Sequence, residues 1–248
     1  MSELELIVPD WDAPANVVAR VSTRAGGCSE GAKGELNLAA HVDDDPERVT
    51  RNRELFAREF AVAKEWQWLQ QVHGTQVCRI EAAGPDITAD GLVTATPGIA
   101  CCVLTADCLP LFLCNEDGSE VGVVHCGWRG MASGVIARAI AAMHSPTSRI
   151  MAWMGPAIGV CHFEVGDDVL HAFWGLSDDF LSCFVPAAEK DKYMADLYEI
   201  CRLLLGHLGV ERVGGGGFCT ACDEKRFFSH RRDPASGRIA AAICLGND

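Results

Sequence analysis

Residues 121–130 read V-G-V-V-H-C-G-W-R-G, and they combine an apolar run with a tight polar turn. The first four residues are typical of a strand buried inside a sheet. His125 follows them directly, and Gly127 and Gly130 allow the backbone to turn sharply beyond it. A rigid sheet fixes the geometry at a strand end, so such ends commonly present ligand-binding side chains. The stretch therefore predicts a strand that delivers His125 to a functional site.

Short apolar runs alternate with helical patterns along the rest of the chain. We predict strands over residues 17–22, 99–104, 109–114, 121–124, 149–154 and 238–245, and a strand–turn–strand unit around residues 73–74. We predict helices from Pro46 onward and over residues 131–143, 167–174 and 194–208, and a flexible loop at 214–217. This order predicts an α/β (α+β) fold. We expect one domain over residues 1–248, with a large mixed β-sheet core flanked by helices.

The overall charge argues against polyanionic partners. The chain has 21 Lys and Arg residues against 34 Asp and Glu residues, a net charge of −13. Nucleic acid and anionic membranes require a basic face, so we expect neither as a partner. The opening MSELELIVPDWDAP lacks the regions of a signal peptide, and the 13 cysteines are typical of reduced thiols. We predict a cytoplasmic monomer or homodimer.

Three residues with metal-binding side chains follow three predicted strands. His73, Cys108 and His125 each stand next to a turn. Two imidazoles and a thiolate suit Zn²⁺ with one coordination position left open, and they also accept copper. Asp107, beside Cys108, could orient a ligand or a substrate proton. Their spacing matches no compact zinc signature, so histidines hydrogen-bonded at strand ends remain an alternative.

Five motifs occur in a fixed order along the chain. They are Q-V-H-G-T (71–75), T-A-D-C-L-P (105–110), H-C-G-W-R-G (125–130), M-G-P-A-I-G (154–159) and F-F-S-H-R-R-D (227–233). Together they resemble the YfiH-type laccase-domain family, which is also described as multicopper polyphenol oxidase-like, purine nucleoside phosphorylase or peptidoglycan editing factor. The usual family form of the central motif is H-A-G-W-R-G. In this chain, Cys126 stands at the position of the alanine.

The resemblance implies a metal site and a purine nucleoside substrate. By it, His73, Cys108 and His125 are the metal ligands, with zinc favoured over copper. It implies phosphorolysis of adenosine, inosine or methylthioadenosine by inorganic phosphate, and deamination of adenosine. Blue-copper oxidases need many well-placed histidines, and this chain has eight in all, so a multicopper cluster fits poorly.

Arginines near the motifs are candidates for phosphate binding. Arg129 precedes a predicted helix near Met131, where N–H groups and the helix dipole favour an anion. Arg231 and Arg232 are adjacent, so at most one is expected to face the cavity. We expect catalytic roles for Cys108, Arg129, Asp107 and Arg232. We expect substrate or phosphate contacts from Arg129, Arg231, Arg232 and His230, although His230 could also be a surface residue.

Three other functions stay open. One is a cysteine hydrolase acting on a peptidoglycan precursor, with Cys108 as nucleophile and His125 or His73 as base. Another is a copper polyphenol oxidase. The third is a non-enzymatic protein with a purely structural metal, which needs a fourth protein ligand. The C-T-A-C stretch at 219–222 is interpreted as a structural pair of thiols rather than a metal site.

Overall fold

The computed structural model describes residues 4–247 and contains sixteen β-strands and five α-helices in that range. The strands are β1 (Leu6–Ile7), β2 (Val17–Ser22), β3 (Glu65–Gln67), β4 (Leu69–Gln70), β5 (Val77–Ile80), β6 (Ile87–Thr88), β7 (Gly91–Thr94), β8 (Ile99–Thr105), β9 (Leu109–Asn115), β10 (Val121–Cys126), β11 (Ile150–Met154), β12 (Glu164–Gly166), β13 (Phe184–Pro186), β14 (Lys192–Ala195), β15 (Arg212–Gly215) and β16 (Ile239–Leu245). The helices are α1 (Pro46–Ala57), α2 (Trp128–Ala132), α3 (Val135–Ala142), α4 (Asp167–Trp174) and α5 (Leu197–His207).

The strands form two large mixed sheets and two small ones. The first large sheet has five strands in the order β1-β2-β16-β8-β3, and the second has six in the order β15-β11-β9-β10-β7-β5. Most neighbours are antiparallel, but β3–β8, β5–β7 and β11–β15 pair in parallel. The small sheets are β12-β14-β13 and β4-β6. The predicted mixed α/β class is confirmed, with the β core divided between two main sheets.

The large sheets pack face to face, and the interior strand β8 is buried on both sides. Its residues alternate between two cores, as strand geometry requires. Ile99, Cys101 and Val103 join the core between the two sheets. Ala100, Cys102 and Leu104 join a second core that includes Phe56 of α1 and the Leu36–Leu38 segment. This double burial explains why the strand reads as a continuous apolar run.

The six-stranded sheet carries α2, α3, α4 and α5 on its other face. On β10, Val121 and Val123 point between the sheets, whereas Val124 and Cys126 pack into the helical core. By this alternation, His125 lies on the face of β10 that looks toward the five-stranded sheet. The end of β10 thereby places an imidazole at the edge where the two sheets meet.

The prediction of one continuous helix over residues 131–143 is wrong. Two helices, α2 and α3, occupy this region, and Gly134 between them has a φ of 95°. That left-handed conformation ends one helix and caps the next. The helix predicted over 194–208 begins only at Leu197, because Asp196 caps the main-chain N–H groups of Tyr198 and Glu199 at 3.0 Å each. The residues before Asp196 instead form β14.

The predicted flexible loop at 214–217 is wrong in its first half, because Gly214 and Gly215 end strand β15, whereas Gly216 and Gly217 lie beyond the strand. Arg212–Gly215 pairs in parallel with Met151–Met154 at the edge of the six-stranded sheet. Gly215 has a φ of 76°, and a Cβ there would lie 2.3 Å from the Met154 carbonyl oxygen. The edge therefore requires glycine for close approach. The other predicted strands, the start of α1 at Pro46 and the bounds of α4 agree with the structure within two residues.

Across residues 4–247, none of the helices combines the length and the apolar character needed to cross a bilayer.

Candidate metal centre

Three side chains from separate elements converge at one end of the two sheets. The ligand-type atoms of His73, Cys108 and His125 all lie within 4.8 Å of one another. The two imidazole rings stand 4.7 Å apart at 78°. His73 follows β4, Cys108 joins β8 to β9, and His125 is the penultimate residue of β10. The structure thus brings together three residues that are far apart in the sequence.

Unusual backbone conformations aim two of these side chains. His73 has a φ of 56°, and Asp107, just before Cys108, has a φ of 86°. Left-handed conformations at non-glycine residues persist where the surroundings impose them, and they concentrate at functional sites. The turn at His73 is fastened by Gln71, whose side-chain amide pairs with both the N–H and the C=O of Leu104, at 2.7 and 2.8 Å.

Asp90, a fully buried carboxylate, organises both histidines. Its side chain accepts hydrogen bonds from the main-chain N–H groups of His73 at 2.9 Å and Gly74 at 2.6 Å. It also contacts Nδ1 of His125 at 2.8 Å. Burial disfavours the charged form of Asp90, but these hydrogen bonds outweigh it and hold its pKa below the usual range. An ionised carboxylate can only accept, so Nδ1 of His125 carries the proton and Nε2 is left for a ligand.

The two imidazoles have opposite pKa shifts. Burial opposes the charged form of His125, but the Cys108 sulfur and the Asp90 carboxylate prevail and raise its pKa to about 9. Desolvation lowers the pKa of His73, and the charges of His125 and Arg129 lower it further. The negative groups around His125 therefore favour positive charge there, either as a proton on Nε2 or as a bound cation that displaces that proton.

The donor set fits a borderline-soft divalent metal. Two imidazole nitrogens and one thiolate sulfur suit Zn²⁺ and accept copper. A cradle formed by Gly127 supports this fit, since a Cβ there would lie 2.7 Å from His73 Nδ1 and 3.4 Å from Cys108 Sγ. Glycine thus leaves the donor atoms room beside the turn into α2. Three protein donors leave a coordination position for a fourth group.

The three donors line a cavity of about 340 Å³. This volume falls within the roughly 300–1,000 Å³ of small-molecule sites. The remaining wall residues come from the end of β8, from the segment before β16 and from two connecting loops: His41, Gln71, Leu104, Thr105, Ala106, His230 and Arg238. The centre is thus at the wall of a cavity with polar groups facing it from several directions.

Asp107 and Arg129 lie near the metal centre, but Asp107 is fully hydrogen-bonded whereas Arg129 is exposed. Both carboxylate oxygens of Asp107 are occupied, one by the Thr220 hydroxyl at 2.6 Å and the other by the main-chain N–H of Arg231 at 2.7 Å. Arg129 is exposed, lies over the Trp128 ring at 4.4 Å, and makes no ion pair within residues 4–247. It is the second residue of α2, so the prediction that it precedes the helix is wrong, and α2 has only five residues.

The two adjacent arginines, Arg231 and Arg232, are absent from the cavity lining. Arg232 donates to the carbonyl oxygens of Thr220, Ala221 and Phe227 at 2.8, 3.0 and 2.7 Å. Its guanidinium holds this loop, and Arg232 is absent from the cavity lining, so its catalytic or phosphate-binding role stays a prediction. Arg231 donates to the carbonyl oxygen of His162 at 3.0 Å and is absent from the cavity lining. His230 does line the cavity.

Comparison with known proteins decides the family. The family described as "Multi-copper polyphenol oxidoreductase laccase" matches residues 18–246. The chain belongs to this laccase family. The purine nucleoside phosphorylase of Pseudomonas aeruginosa is 43% identical over 239 residues, covering 96% of this chain and 98% of its own length. The purine nucleoside phosphorylase YfiH of Escherichia coli is 42% identical over 243 residues, covering 97% and 99%.

Solved structures of the laccase family share the fold. A Neisseria meningitidis protein superposes with a TM-score of 0.93 at 43% identity, covering 98% of this chain and 99% of its own. YlmD of Geobacillus stearothermophilus gives a TM-score of 0.89 at 30% identity, with both chains fully covered. The predicted resemblance is confirmed over nearly the whole chain.

Three residues of this laccase-family site escaped the sequence analysis. Asp90 stands in the apolar stretch I-T-A-D-G-L-V, where a lone acid between Ala89 and Gly91 is a weak signal of a buried carboxylate. Gln71 stands in the Q-V-H-G-T motif but was given no role, and Arg238 carries no local signal, because the roles of both depend on long-range partners. Arg238 donates to the carbonyl oxygens of Ser236 and Gly237 at 2.7 and 2.9 Å while its charge faces Cys108 and Asp107.

Proposed function

We propose that the chain is a metal-dependent purine nucleoside phosphorylase that also deaminates adenosine. The observation that carries this proposal is the convergence of His73, Cys108 and His125 at the wall of a cavity of about 340 Å³. Similar proteins also support the proposal, because relatives 33–43% identical over at least 92% of the chain are named purine nucleoside phosphorylase. We take adenosine, inosine and methylthioadenosine as the substrates.

We assign His73, Cys108 and His125 as ligands of Zn²⁺, with copper as the competing metal. Zinc held there supplies Lewis-acid stabilisation of negative charge, which develops in both phosphorolysis and deamination. The protein's part is to fix the ligands. Asp90 orients His125 and the His73 turn, and Gly127 leaves space for the donors.

Arg238 is our candidate for the principal phosphate-binding residue. It lines the cavity, and only one of its guanidinium nitrogens donates to carbonyl oxygens within residues 4–247. Burial lowers its pKa, although Cys108 and Asp107 oppose that shift, so it is a partly desolvated cation. Such a cation binds a phosphate more strongly than a fully solvated one. Arg129, which is exposed and lies outside the cavity lining, is our candidate for a second contact to the phosphate.

In phosphorolysis, a phosphate oxygen forms a bond to C1′ of the ribose while the C1′–N9 bond breaks. The purine leaves with the electron pair of that bond and takes up a proton. Arg238 and Arg129 hold the phosphate against the sugar, which converts a bimolecular attack into a positioned one. We assign the proton transfer to His230, which lines the cavity. In deamination, water replaces the C6 amino group, which leaves as ammonia.

The proposal is tested by incubating the purified protein with adenosine and phosphate. We expect adenine and ribose 1-phosphate, together with inosine from deamination. The variants H73A and C108A should lose activity and the metal of the His73–Cys108–His125 site, whereas Cys78→Ser, a partly buried cysteine elsewhere, should keep both. Absence of product from protein with zinc at the His73–Cys108–His125 site would overturn the proposal.

A cysteine hydrolase is the second candidate, and one observation favours it. Asp90, His125 and Cys108 stand in the order acid, imidazole and thiol, because Nδ1 of His125 contacts Asp90 and the Cys108 sulfur lies within 4.8 Å of the His125 ring. A peptidoglycan precursor with an amide bond would be the substrate. The hydrolase hypothesis requires that the metal-free protein is active and that alkylation of Cys108 inactivates it. Zinc-dependent phosphorolysis would exclude this hypothesis.

We further propose that residues 1–248 act as one domain, in the cytoplasm, as a monomer or homodimer. The core shared by the two large sheets supports a single unit. The net charge of −13 supports a small-molecule substrate rather than nucleic acid or a membrane surface.

A further inference from the structure

A second cluster of metal-binding side chains lies outside the cavity lining. Cys161 and His162 follow β11, and Cys219 and Cys222 follow β15. Their ligand-type atoms all lie within 4.8 Å of one another. From the sequence, Cys219 and Cys222 are interpreted only as a structural pair of thiols. The fold adds an adjacent cysteine and histidine from a segment almost sixty residues away.

Five of the six distances between these four atoms are close to the edges of a tetrahedron around one zinc ion, and the sixth, between Cys219 Sγ and Cys222 Sγ, is below 4.8 Å. Cys161 Sγ lies 3.6 Å from Cys219 Sγ and 3.4 Å from Cys222 Sγ. Nδ1 of His162 lies 3.3, 3.8 and 3.3 Å from the sulfurs of Cys161, Cys219 and Cys222. Zinc bonds of about 2.3 Å to sulfur and about 2.0 Å to nitrogen give tetrahedral edges of roughly 3.5–3.8 Å.

The main chain is also arranged around the sulfurs. The N–H of Cys222 donates to Cys219 Sγ at 3.4 Å, closing the C-x-x-C turn. Gly159 passes so close that a Cβ there would lie 3.4 Å from Cys219 Sγ and 3.5 Å from Cys161 Sγ. Hydrogen bonds from N–H groups to sulfur favour the thiolate form that metals bind. The four donors are therefore held together by two loops rather than by chance contact of flexible side chains.

We propose that Cys161, His162, Cys219 and Cys222 form a second, structural zinc site. Three thiolates and one imidazole complete a four-coordinate set, which leaves no position for substrate, as in structural zinc sites. Each thiol releases its proton to solvent when zinc binds. The soft sulfur-rich set selects zinc over magnesium or calcium.

The site would brace one wall of the cavity. Asp107, next to Cys108, accepts from the hydroxyl of Thr220, which lies inside the C-T-A-C turn. Arg231, next to the cavity-lining His230, donates to the carbonyl oxygen of His162. Zinc would therefore link the loop at 219–233 to the loop at 158–163. The first of these loops also contacts Asp107, the neighbour of the proposed ligand Cys108.

Elemental analysis of the full-length protein, purified after growth with added zinc, tests the proposal. We expect about two zinc ions per wild-type chain and one in each of C161S and C222S, both exposed positions. His73→Ala should also retain one zinc, because it removes the other site. The double variant with His73→Ala and Cys222→Ser should hold none. Cys78→Ser is the matched control and should hold two.

Cobalt substitution gives a second readout that needs no folded cysteine variant. In His73→Ala, bound Co²⁺ should show the near-ultraviolet thiolate charge-transfer absorption and the intense visible bands of a tetrahedral sulfur site. Equal zinc content in wild type, C161S and C222S would overturn the proposal. So would a disulfide within this cluster, seen by intact mass and thiol titration of the protein as isolated, or His73→Ala that binds no cobalt. The absolute counts include the zinc of the proposed first site, but the loss of one zinc in C161S or C222S and the cobalt spectrum of His73→Ala report on the second site alone.

Discussion

The carboxylate of Asp90 lies 2.8 Å from Nδ1 of His125, and this contact fixes which nitrogen of the ring is available as a ligand. The same carboxylate accepts from the main chain of the His73 turn. One buried acid therefore sets the position of two proposed ligands that reach the site from different sheets. Zinc-site histidines are commonly oriented in this way.

Asp90→Asn should weaken metal binding by about 10–100-fold. The amide keeps the shape but places an NH₂ group against N–H donors, so the His73 turn and His125 lose their fixed orientation. We also expect the free energy of unfolding to fall by about 1.5–3 kcal/mol. Competition with a chromophoric chelator measures the affinity. Asp117→Asn, at an exposed ion pair with Arg149, is the control and should leave metal affinity unchanged.

Gly127→Ala should disrupt the first centre without straining the backbone. Gly127 has φ −69° and ψ 150°, which alanine adopts freely. Its Cβ would nevertheless lie 2.7 Å from His73 Nδ1, so the imidazole must move. We expect loss of zinc from this centre by elemental analysis. The control is Gly206→Ala in α5, where a Cβ meets nothing within 4 Å. This substitution should stabilise the helix by about 0.5–1 kcal/mol. If the Gly127 variant kept all of its zinc, Gly127 would not be needed to leave space for the donor atoms of His73 and Cys108.

Arg238→Met should raise the KM for phosphate by about 10–100-fold, since it removes charge-assisted hydrogen bonds worth about 1.5–3 kcal/mol. The KM for the nucleoside should change much less, because the arginine is assigned to the phosphate. Steady-state kinetics with each substrate varied in turn measures the two effects. An unchanged phosphate KM would remove Arg238 from the phosphate site.

Arg232→Met should instead destabilise the protein. Its guanidinium holds three carbonyl oxygens of the 220–227 loop, so its loss should lower the free energy of unfolding by about 1.5–3 kcal/mol. Urea unfolding measures this change. We expect the phosphate KM to stay near the wild-type value at a temperature where the variant is folded. A selective rise in that KM would restore the arginine to the phosphate site.

Glu120 should make stability depend on pH. Burial disfavours its charge, but N–H groups of Ser145 and His144 and the Arg79 guanidinium outweigh burial and lower its pKa. A lowered folded-state pKa contributes stability above the unfolded value of about 4.3, and that contribution is lost as the pH falls through the folded-state value. Glu120→Gln should therefore cost about 1–3 kcal/mol at pH 7.

The difference between wild type and Glu120→Gln should shrink when urea unfolding is repeated near pH 3. Glu211→Gln, at an exposed position, serves as the control with little change at either pH. A difference that stays constant with pH would show that the Glu120 charge is not the source of the effect.

Local patterns were enough to predict the class of fold and three clustered residues. His73, Cys108 and His125 each follow an apolar run and precede a turn, and both features are local. Their mutual approach depends on the pairing of β9 with β10 and on the packing of two sheets. The resemblance to a family, rather than spacing, linked them before the structure did.

What sequence could not provide is the direction and partner of each polar side chain. Arg232 and Arg238 look equally suited to bind phosphate, yet one holds three carbonyl oxygens and the other lines the cavity. Asp90 gains its role from hydrogen bonds to residues brought near by tertiary packing. Gly215 was assigned to a loop because glycine runs usually weaken strands, but a close approach to Met154 overrides that tendency.

The alternation along β8 gives two neighbouring cysteines different surroundings. Cys101 and Cys102 are both fully buried, but the first faces the interior between the sheets and the second faces the layer containing α1. Thiol-exchange labelling at these adjacent positions, with peptide mapping, can therefore time the opening of each layer separately. Equal labelling rates would indicate that the two halves of the molecule unfold as one cooperative unit, and unequal rates would identify the layer that opens first.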